Sequence, residues 1–61
     1  MLYEAYVHQN GAVQVKRVLI SGKIPVSNID VYSPFVAEYL GFEEANSYEE
    51  ALKVFETKAR K

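Results

Sequence analysis

Residues 2–20 read LYEAYVHQNGAVQVKRVLI and carry the strongest structural signal in the chain. Apolar and polar side chains alternate on both sides of Asn10-Gly11, and this alternation is the period of a half-buried strand. Asn-Gly is the best short signal for a hairpin turn, because both residues tolerate the positive φ that such turns require. The stretch therefore predicts two antiparallel strands joined by a tight turn.

Two registers of this hairpin are compatible with the sequence, and they bury different faces. A two-residue turn pairs Glu4 with Arg17 and mixes both charges with apolar side chains on one face. A three-residue loop with Gly11 at a bulge pairs Glu4 with Lys16 instead. This second register gathers Tyr3, Ala5, Val7, Val13, Val15 and Leu19 on one side, and Tyr6, His8, Gln14 and Lys16 on the other. We favour it because a register that mixes charges into the apolar face would bury them.

The middle of the chain is predicted to contain a connection, a short strand and a helix. Residues 21–25, SGKIP, break the alternation and are interpreted as a connection. Residues 29–32, IDVY, alternate again, which favours a short third strand. The segment from Pro34 to Leu40 is predicted to be a two-turn helix, with Ser33 as its N-cap and Gly41 in the left-handed position after its end.

The C-terminal segment carries the signals of a capped amphipathic helix. Ser47 and Glu50 form a capping box at its start, and Lys58, Arg60 and Lys61 suit the negative end of the helix dipole. The apolar stripe consists of Tyr48, Ala51, Leu52, Phe55 and Ala59. The expected fold class is α+β. A small antiparallel sheet of two or three strands, formed by the N-terminal β-hairpin with or without the short third strand, is covered on one face by two C-terminal helices.

Length and composition limit the kind of protein this is. The 61 residues carry seven Lys and Arg against eight Asp and Glu, a net charge of -1, and contain no Cys. The chain is interpreted as a single domain, residues 1–61, because it is too short for a second core. Without Cys there is no disulfide, thiolate metal site or cysteine nucleophile. No signal-peptide pattern or membrane-length apolar run is present, so we expect a cytoplasmic location and no membrane partner.

No residue pattern indicates a catalytic, cofactor or metal site. His8 is the one imidazole, and a zinc site would need several carboxylates around it, so His8 is interpreted as a solvated hairpin residue. Glu49 and Glu50 are accounted for by the helix start, and Glu43-Glu44 by a solvated loop. The SGK of residues 21–23 lacks the upstream glycine of a phosphate-binding loop. The sequence therefore predicts no enzyme and no cofactor.

Residues 41–52, GFEEANSYEEAL, resemble a phrase that occurs in known families. The run of two glutamates, alanine and leucine after Ser47 is similar to a helix start that follows a β-hairpin in HicB-like antitoxins. A similar sequence motif occurs in the C-terminal tail of lactate-racemase-like proteins. The shared residues are mostly capping and helix-forming ones, so the resemblance implies a capped helix packed on a sheet and nothing more.

The composition favours a binding function over catalysis. Five Tyr in a chain whose core is too small to bury every aromatic indicate an exposed aromatic surface, and tyrosine is enriched at interfaces. We therefore expect a small non-enzymatic protein-binding or regulatory module, whose partner is another protein or a second copy of the chain. The predicted contact residues are Tyr6, His8, Gln14 and Lys16. The alternative is a nucleic-acid-binding regulator that uses Tyr3, Tyr6, Lys16, Arg17 and Lys23.

Overall fold

The chain folds into a three-stranded antiparallel sheet with a helix packed on it, and a separate two-stranded hairpin. The computed structural model describes residues 1–60. The strands are β1 (Leu2–His8), β2 (Val13–Arg17), β3 (Leu19–Ser21), β4 (Ile24–Val26) and β5 (Val36–Glu44), and the helix is α1 (Tyr48–Ala59). β1 is the central strand of the larger sheet, in the order β2-β1-β5, and β3 pairs with β4. The α+β class with a small antiparallel sheet is confirmed, but the predicted pair of helices is wrong.

The hairpin of β1 and β2 has the favoured register, with Glu4 opposite Lys16. The N–H of His8 donates to the carbonyl of Ala12 at 2.8 Å, and the N–H of Gly11 donates to the carbonyl of His8 at 2.8 Å. The loop therefore contains three residues and ends on Gly11, whose φ is 91°. Glycine adopts this left-handed conformation without a steric penalty. The prediction of a three-residue loop is confirmed.

The predicted helix from Pro34 to Leu40 is replaced by a turn and the first part of β5. The N–H of Val36 donates to the carbonyl of Ser33 at 3.1 Å, which closes a β-turn with Pro34 in its second position. Proline suits that position as well as it suits the start of a helix, so the same residues predict both structures. An isolated two-turn helix is marginal, whereas β5 pairs with β1 along the whole of Leu2–His8. α1 is therefore the one helix within residues 1–60.

Gly41, predicted to follow a helix, lies inside β5 at an irregularity of the sheet. Its φ is 84°. Ala5 pairs with Gly41 while Tyr6 pairs with Tyr39, so Leu40 is an extra residue on β5. Such a bulge changes the direction of a side chain locally. Here Gly41 pairs with the core residue Ala5 and its neighbour Leu40 is also in the core, so two consecutive residues of β5 lie on the same face.

Two predictions for residues 21–32 are wrong as well. The predicted connection at 21–25 contains parts of β3 and β4, which are joined by a two-residue turn. The predicted strand at 29–32 lies in the irregular loop of residues 27–35. The Asp30 carboxylate accepts a hydrogen bond from the Tyr32 N–H at 3.0 Å, and the Asp30 carbonyl accepts one from Ser33 at 3.1 Å. Aspartate that bonds to nearby backbone favours a turn over a strand.

The hydrophobic core lies between α1 and one face of the larger sheet. Its buried members are Tyr3, Ala5, Val15, Leu40, Ala45, Ala51 and Phe55. Ala51 and Phe55 confirm the central part of the predicted helix stripe, whereas Tyr48 at the helix start is half exposed. The alternation along β1 therefore directs Tyr3 and Ala5 toward α1 and leaves their neighbours on the opposite face.

Both ends of α1 agree with the sequence signals. The Ser47 hydroxyl accepts a hydrogen bond from the Glu50 N–H at 3.2 Å, as expected of an N-cap. In the last turn, the Lys58 ammonium lies 2.9 Å from the Glu43 carboxylate of β5, which ties the helix end to the sheet. The predicted contribution of Lys61 lies outside the described residues.

Candidate functional site

The loop of residues 27–35 crosses the sheet face opposite α1, and Glu4 fastens it there. Glu4 is the one charged side chain that is fully buried within residues 1–60. Its carboxylate accepts hydrogen bonds from the Ser27 hydroxyl at 2.6 Å, the Asn28 N–H at 2.8 Å and the Tyr39 hydroxyl at 3.0 Å. Hydrogen bonds to an ionised acceptor are roughly twice as strong as neutral ones. The carboxylate therefore holds the start of the loop against both β1 and β5.

The environment of Tyr39 is consistent with this role. Burial and the hydrogen bond to Glu4 raise the pKa of Tyr39 above its usual value, so the phenol stays protonated and remains a donor. Sequence reasoning assigned Glu4 to the polar side of the hairpin and missed its burial. No local signal marks it, because its three partners lie 23, 24 and 35 residues further along the chain.

The four residues predicted as protein contacts lie on this same face, which the loop partly occupies. Tyr6 and Lys16 line a groove of about 240 Å³ together with residues of the loop, among them Phe35. His8 stacks on Phe35, with ring centroids 5.8 Å apart and ring planes 19° apart. Gln14 is exposed and lies opposite Tyr6. The structure thus brings these residues together but leaves a narrower open surface than the sequence implies.

The five residues of the alternative nucleic-acid surface are not brought together. Tyr3 is 5% exposed and packs in the core against α1, on the opposite face from Tyr6 and Lys16. Arg17 lines a different groove, at the end of β2. Lys23 lies in the turn between β3 and β4. The cations of this set are therefore distributed over separate parts of the molecule.

The hairpin of β3 and β4, residues 19–26, is the most exposed apolar element of the fold, and we call it the arm. Its strands pair with each other and with no strand of the larger sheet. The exposed fractions are 64% for Leu19, 57% for Ile20, 70% for Ile24 and 43% for Val26. A single exposed aliphatic residue is common on a protein surface, but four on one short hairpin that pairs with no other strand are unusual.

Leu19 was assigned by the sequence pattern to the buried side of the first hairpin, and the structure corrects this. β2 ends at Arg17, and Val18 becomes the buried residue of this stretch. The Val18 N–H donates to the carbonyl of Leu2 at 2.9 Å, which fixes the foot of the arm to β1. Beyond that point the chain leaves the larger sheet, so Leu19 has no core to enter.

A groove of about 420 Å³ lies at the foot of the arm. It is lined by Met1, Leu2, Arg17, Val18, Leu19 and Ile20. Its lining side chains are apolar except for the Arg17 guanidinium. Arg17 makes no ion pair with any other residue of the 1–60 range, and neither does Lys23 at the tip of the arm.

The two edges of the arm differ in what they offer to another strand. Ser21 and Ile24 close the two-residue turn and form a hydrogen-bonded pair, so the next pair, Ile20 and Pro25, directs its backbone groups outward. On β3 this exposes the N–H and the carbonyl of Ile20. On β4 the outward position is Pro25, which has no N–H to donate. The β3 edge is therefore open to strand pairing, and the β4 edge lacks its central donor.

Neither a cluster of metal ligands nor a membrane-spanning helix is present in the part of the chain that the structure describes. Within residues 1–60 no group of three or more His, Asp or Glu side chains could hold a metal ion. Glu4 lines neither of the two grooves described above, and its three hydrogen bonds are made to other residues of the chain. The same part of the chain has no helix long and apolar enough to cross a membrane. The arrangement offers an apolar arm, free backbone groups and cations at both ends of β3.

Comparison of the chain with protein-family models, with curated proteins and with solved structures gives no match in any of the three. The geometry of the arm and of the sheet face is therefore the basis for assigning a function.

Proposed function

We propose that this chain is a small non-enzymatic protein-binding module with a regulatory role, and that the arm is its main contact surface. The observation that carries the proposal is the exposure of four aliphatic side chains on one hairpin whose strands pair with no strand of the larger sheet. Protein-binding surfaces combine apolar anchors with backbone groups that can pair, and the arm has both.

The energetics of the arm support a partner. Fully burying an aliphatic side chain contributes about 1.5–3 kcal/mol, so covering four that are roughly half exposed would contribute on the order of 4 kcal/mol before the costs of association. The molecule exposes 4350 Å² for a mass of 6.9 kDa. About 4,000 Å² is typical of a folded monomer of that mass, and the excess is consistent with a projecting arm.

The predicted contact residues on the sheet face are proposed as an additional contact surface beside the arm. Tyr6, Gln14 and Lys16 are accessible at the edge of the loop of residues 27–35, and His8 is engaged with Phe35. A partner that covers the arm would reach them only if it extended around the sheet. The cytoplasmic location predicted from the sequence belongs to the same proposal.

The alternative function is nucleic-acid binding, and one observation favours it. Arg17 and Lys23 are cations without ion-pair partners in the 1–60 range, so both are free to contact phosphate. Two or three such contacts give a small counterion-release term, which supports weak binding at best. Titration with single- and double-stranded oligonucleotides distinguishes this alternative, because affinity that is appreciable at low salt and falls steeply by about 200 mM would favour it.

Selection from a random peptide library tests the proposed function directly. The chain is immobilised, and peptides that bind it are enriched over several rounds. The enriched peptides are then tested on a variant of the arm, Leu19→Thr/Ile24→Thr. We expect enrichment of defined sequence groups whose binding falls at least about tenfold on this variant, since two exposed apolar anchors are lost.

A matched control variant is available outside the arm. Val31→Thr/Tyr48→Thr removes two apolar side chains that are also about half exposed, from the loop and from α1. We expect it to bind the enriched peptides as the unmodified chain does. A library that yields no enrichment, or peptides that bind equally to both variants, would contradict the assignment of the arm as the contact surface.

A further inference from the structure

We propose that the β3 edge of the arm takes up an extended segment of the protein partner as an additional antiparallel strand. The segment has an acidic residue at each end and an apolar residue two positions inside each of them. This inference rests on the proposed function and specifies the chemistry of the partner. It is drawn from three features of the arm, namely its open edge, the charges that flank that edge and the groove at its foot.

The open edge supplies the backbone part of the recognition. The N–H and carbonyl of Ile20 point away from β4, so a residue of an added strand can exchange two hydrogen bonds with Ile20. Strand addition obtains its affinity from such main-chain bonds and its selectivity from the side chains on either side. Pro25 removes the corresponding donor from the other edge, so pairing is directed to β3.

The charges at the two ends of the edge supply the selectivity. Arg17 precedes β3 and Lys23 follows it, each three residues from Ile20, and the residues between them are uncharged. Neither cation has an ion-pair partner within residues 1–60. An added strand centred on Ile20 therefore meets a positive charge at each end. Acidic residues at those positions would be complementary, and basic ones would be repelled.

The groove at the foot of the arm receives a side chain of the added strand. Its volume of about 420 Å³ and its mostly apolar lining side chains suit an aliphatic side chain. Arg17 carries the one charged side chain of its lining, so a carboxylate at the end of the segment can contact the guanidinium while the apolar side chain two positions away enters the groove. The segment is thereby required to be apolar two positions from its acidic end, because every second residue of a strand lies on the same face.

A second copy of this chain is the less suitable occupant of the edge. Two β3 strands paired antiparallel about a two-fold axis through Ile20 would place Arg17 of one copy opposite Lys23 of the other. Like charges directly opposite each other destabilise a strand pair. The same cations that oppose self-pairing favour an acidic partner.

Synthetic peptides test the inference on the full chain. The probe is the capped peptide Glu-Thr-Val-Thr-Val-Thr-Glu, whose length matches the seven residues from Arg17 to Lys23. The comparison peptide has Lys at both ends. Binding is measured by fluorescence anisotropy at low salt, and we expect the acidic peptide to bind about tenfold more tightly or better. The charge-reversed variant Arg17→Glu/Lys23→Glu should reverse the preference.

The backbone part of the inference has its own test. Ile20→Pro removes the outward N–H without breaking a bond to β4, and Ile20→Val keeps that N–H. We expect Ile20→Pro to weaken binding of the acidic peptide about tenfold and Ile20→Val to change it by about twofold or less. On the peptide side, two methylated versions of the acidic peptide are compared, one with the odd-numbered amide nitrogens methylated and one with the even-numbered ones. We expect one version to lose binding and the other to keep it, because only alternate amides of the added strand face β3.

The outcomes separate this inference from the proposed function. If the library peptides depend on the arm but lack acidic ends, or if both methylated peptides behave alike, strand addition between acidic ends is overturned and the protein-binding function stands. Strand addition of an acidic segment is also overturned, and the protein-binding function stands, if the acidic peptide does not bind and the chain sediments as a dimer that Ile20→Pro dissociates. If no peptide depends on the arm, both proposals are overturned.

Discussion

Replacing Glu4 by Gln is expected to lower the free energy of unfolding by about 2 kcal/mol, a large share of the ~3–5 kcal/mol that a core of this size supplies. Gln has nearly the same shape as Glu, so the substitution leaves the packing unchanged. It removes the negative charge and one of the two acceptor oxygens. The three donors around the carboxylate, from Ser27, Asn28 and Tyr39, then cannot all be satisfied.

The magnitude follows from which oxygen each donor uses. Oε1 accepts from the Ser27 and Tyr39 hydroxyls, and Oε2 accepts from the Asn28 N–H. If the new amide group faces Asn28, two donors meet, and a buried donor without an acceptor costs about 1–3 kcal/mol. If it faces the hydroxyls, both must turn to accept, and the bonds lose their charge assistance at about 1 kcal/mol each. Removing a buried charge offsets part of either loss.

Urea unfolding followed by circular dichroism measures the effect, and the melting temperature should fall by about 4–8 °C for each kcal/mol. The matched control is Glu44→Gln, because Glu44 is an exposed carboxylate 3.2 Å from the N-terminal ammonium. An exposed pair of this kind contributes less than about 1 kcal/mol. If Glu4→Gln unfolds at the same urea concentration as Glu44→Gln, the loop is not held by the carboxylate and the reasoning is refuted.

Three further predictions concern the turn, the helix start and the buried phenol. Gly11→Val should lower the unfolding free energy by about 1–3 kcal/mol because of the strained positive φ, and Gly11→Asn by less; equal midpoints in urea for the two variants would contradict this. Ser47→Ala should cost about 1 kcal/mol through loss of the N-cap, and a melting temperature equal to that of the unmodified chain would show that the cap does not stabilise the fold. Because the pKa of Tyr39 is raised in the folded chain, its contribution to stability is complete below about pH 10 and is lost as the pH rises further. Unfolding midpoints measured across this range should therefore fall more steeply for the unmodified chain than for Tyr39→Phe, and parallel curves would count against the shift.

The parts of the fold that the sequence predicts correctly are those with local, unambiguous signals. Asn10-Gly11 lies between two alternating runs, and only one register separates polar from apolar side chains, so the hairpin and its pairing are predicted. Ser47 starts α1 because its hydroxyl caps a helix whose stripe has the right period. Each of these signals acts within a few residues and has no competing structure.

The remaining parts depend on contacts between distant residues. Ser33 and Pro34 suit a β-turn as well as a helix start, and the choice is made by the ladder that β5 forms with β1. Gly41 suits a bulge in a strand as well as the end of a helix, because both need a positive φ. Glu4 is buried because the loop of residues 27–35 returns over it, which no pattern within β1 indicates.

The arm was missed for a related reason. Its aliphatic residues resemble those of a buried segment, and sequence alone does not show that residues 19–26 leave the larger sheet. The predicted contact residues Tyr6, His8, Gln14 and Lys16 do share one face, as the favoured register implies. No sequence pattern indicated that the loop of residues 27–35 covers part of that face.

The exchange of the Ile20 backbone amide with solvent tests the central claim most directly, measured by NMR in the free chain and with the acidic peptide at saturation. The open β3 edge requires this amide to exchange rapidly in the free chain, while the amides of Leu19 and Ser21 face β4 and are slowed. On peptide binding, exchange at Ile20 should slow by about tenfold or more as a new hydrogen bond forms. An Ile20 amide that is already protected in the free chain, or that still exchanges rapidly at saturation, would contradict the account.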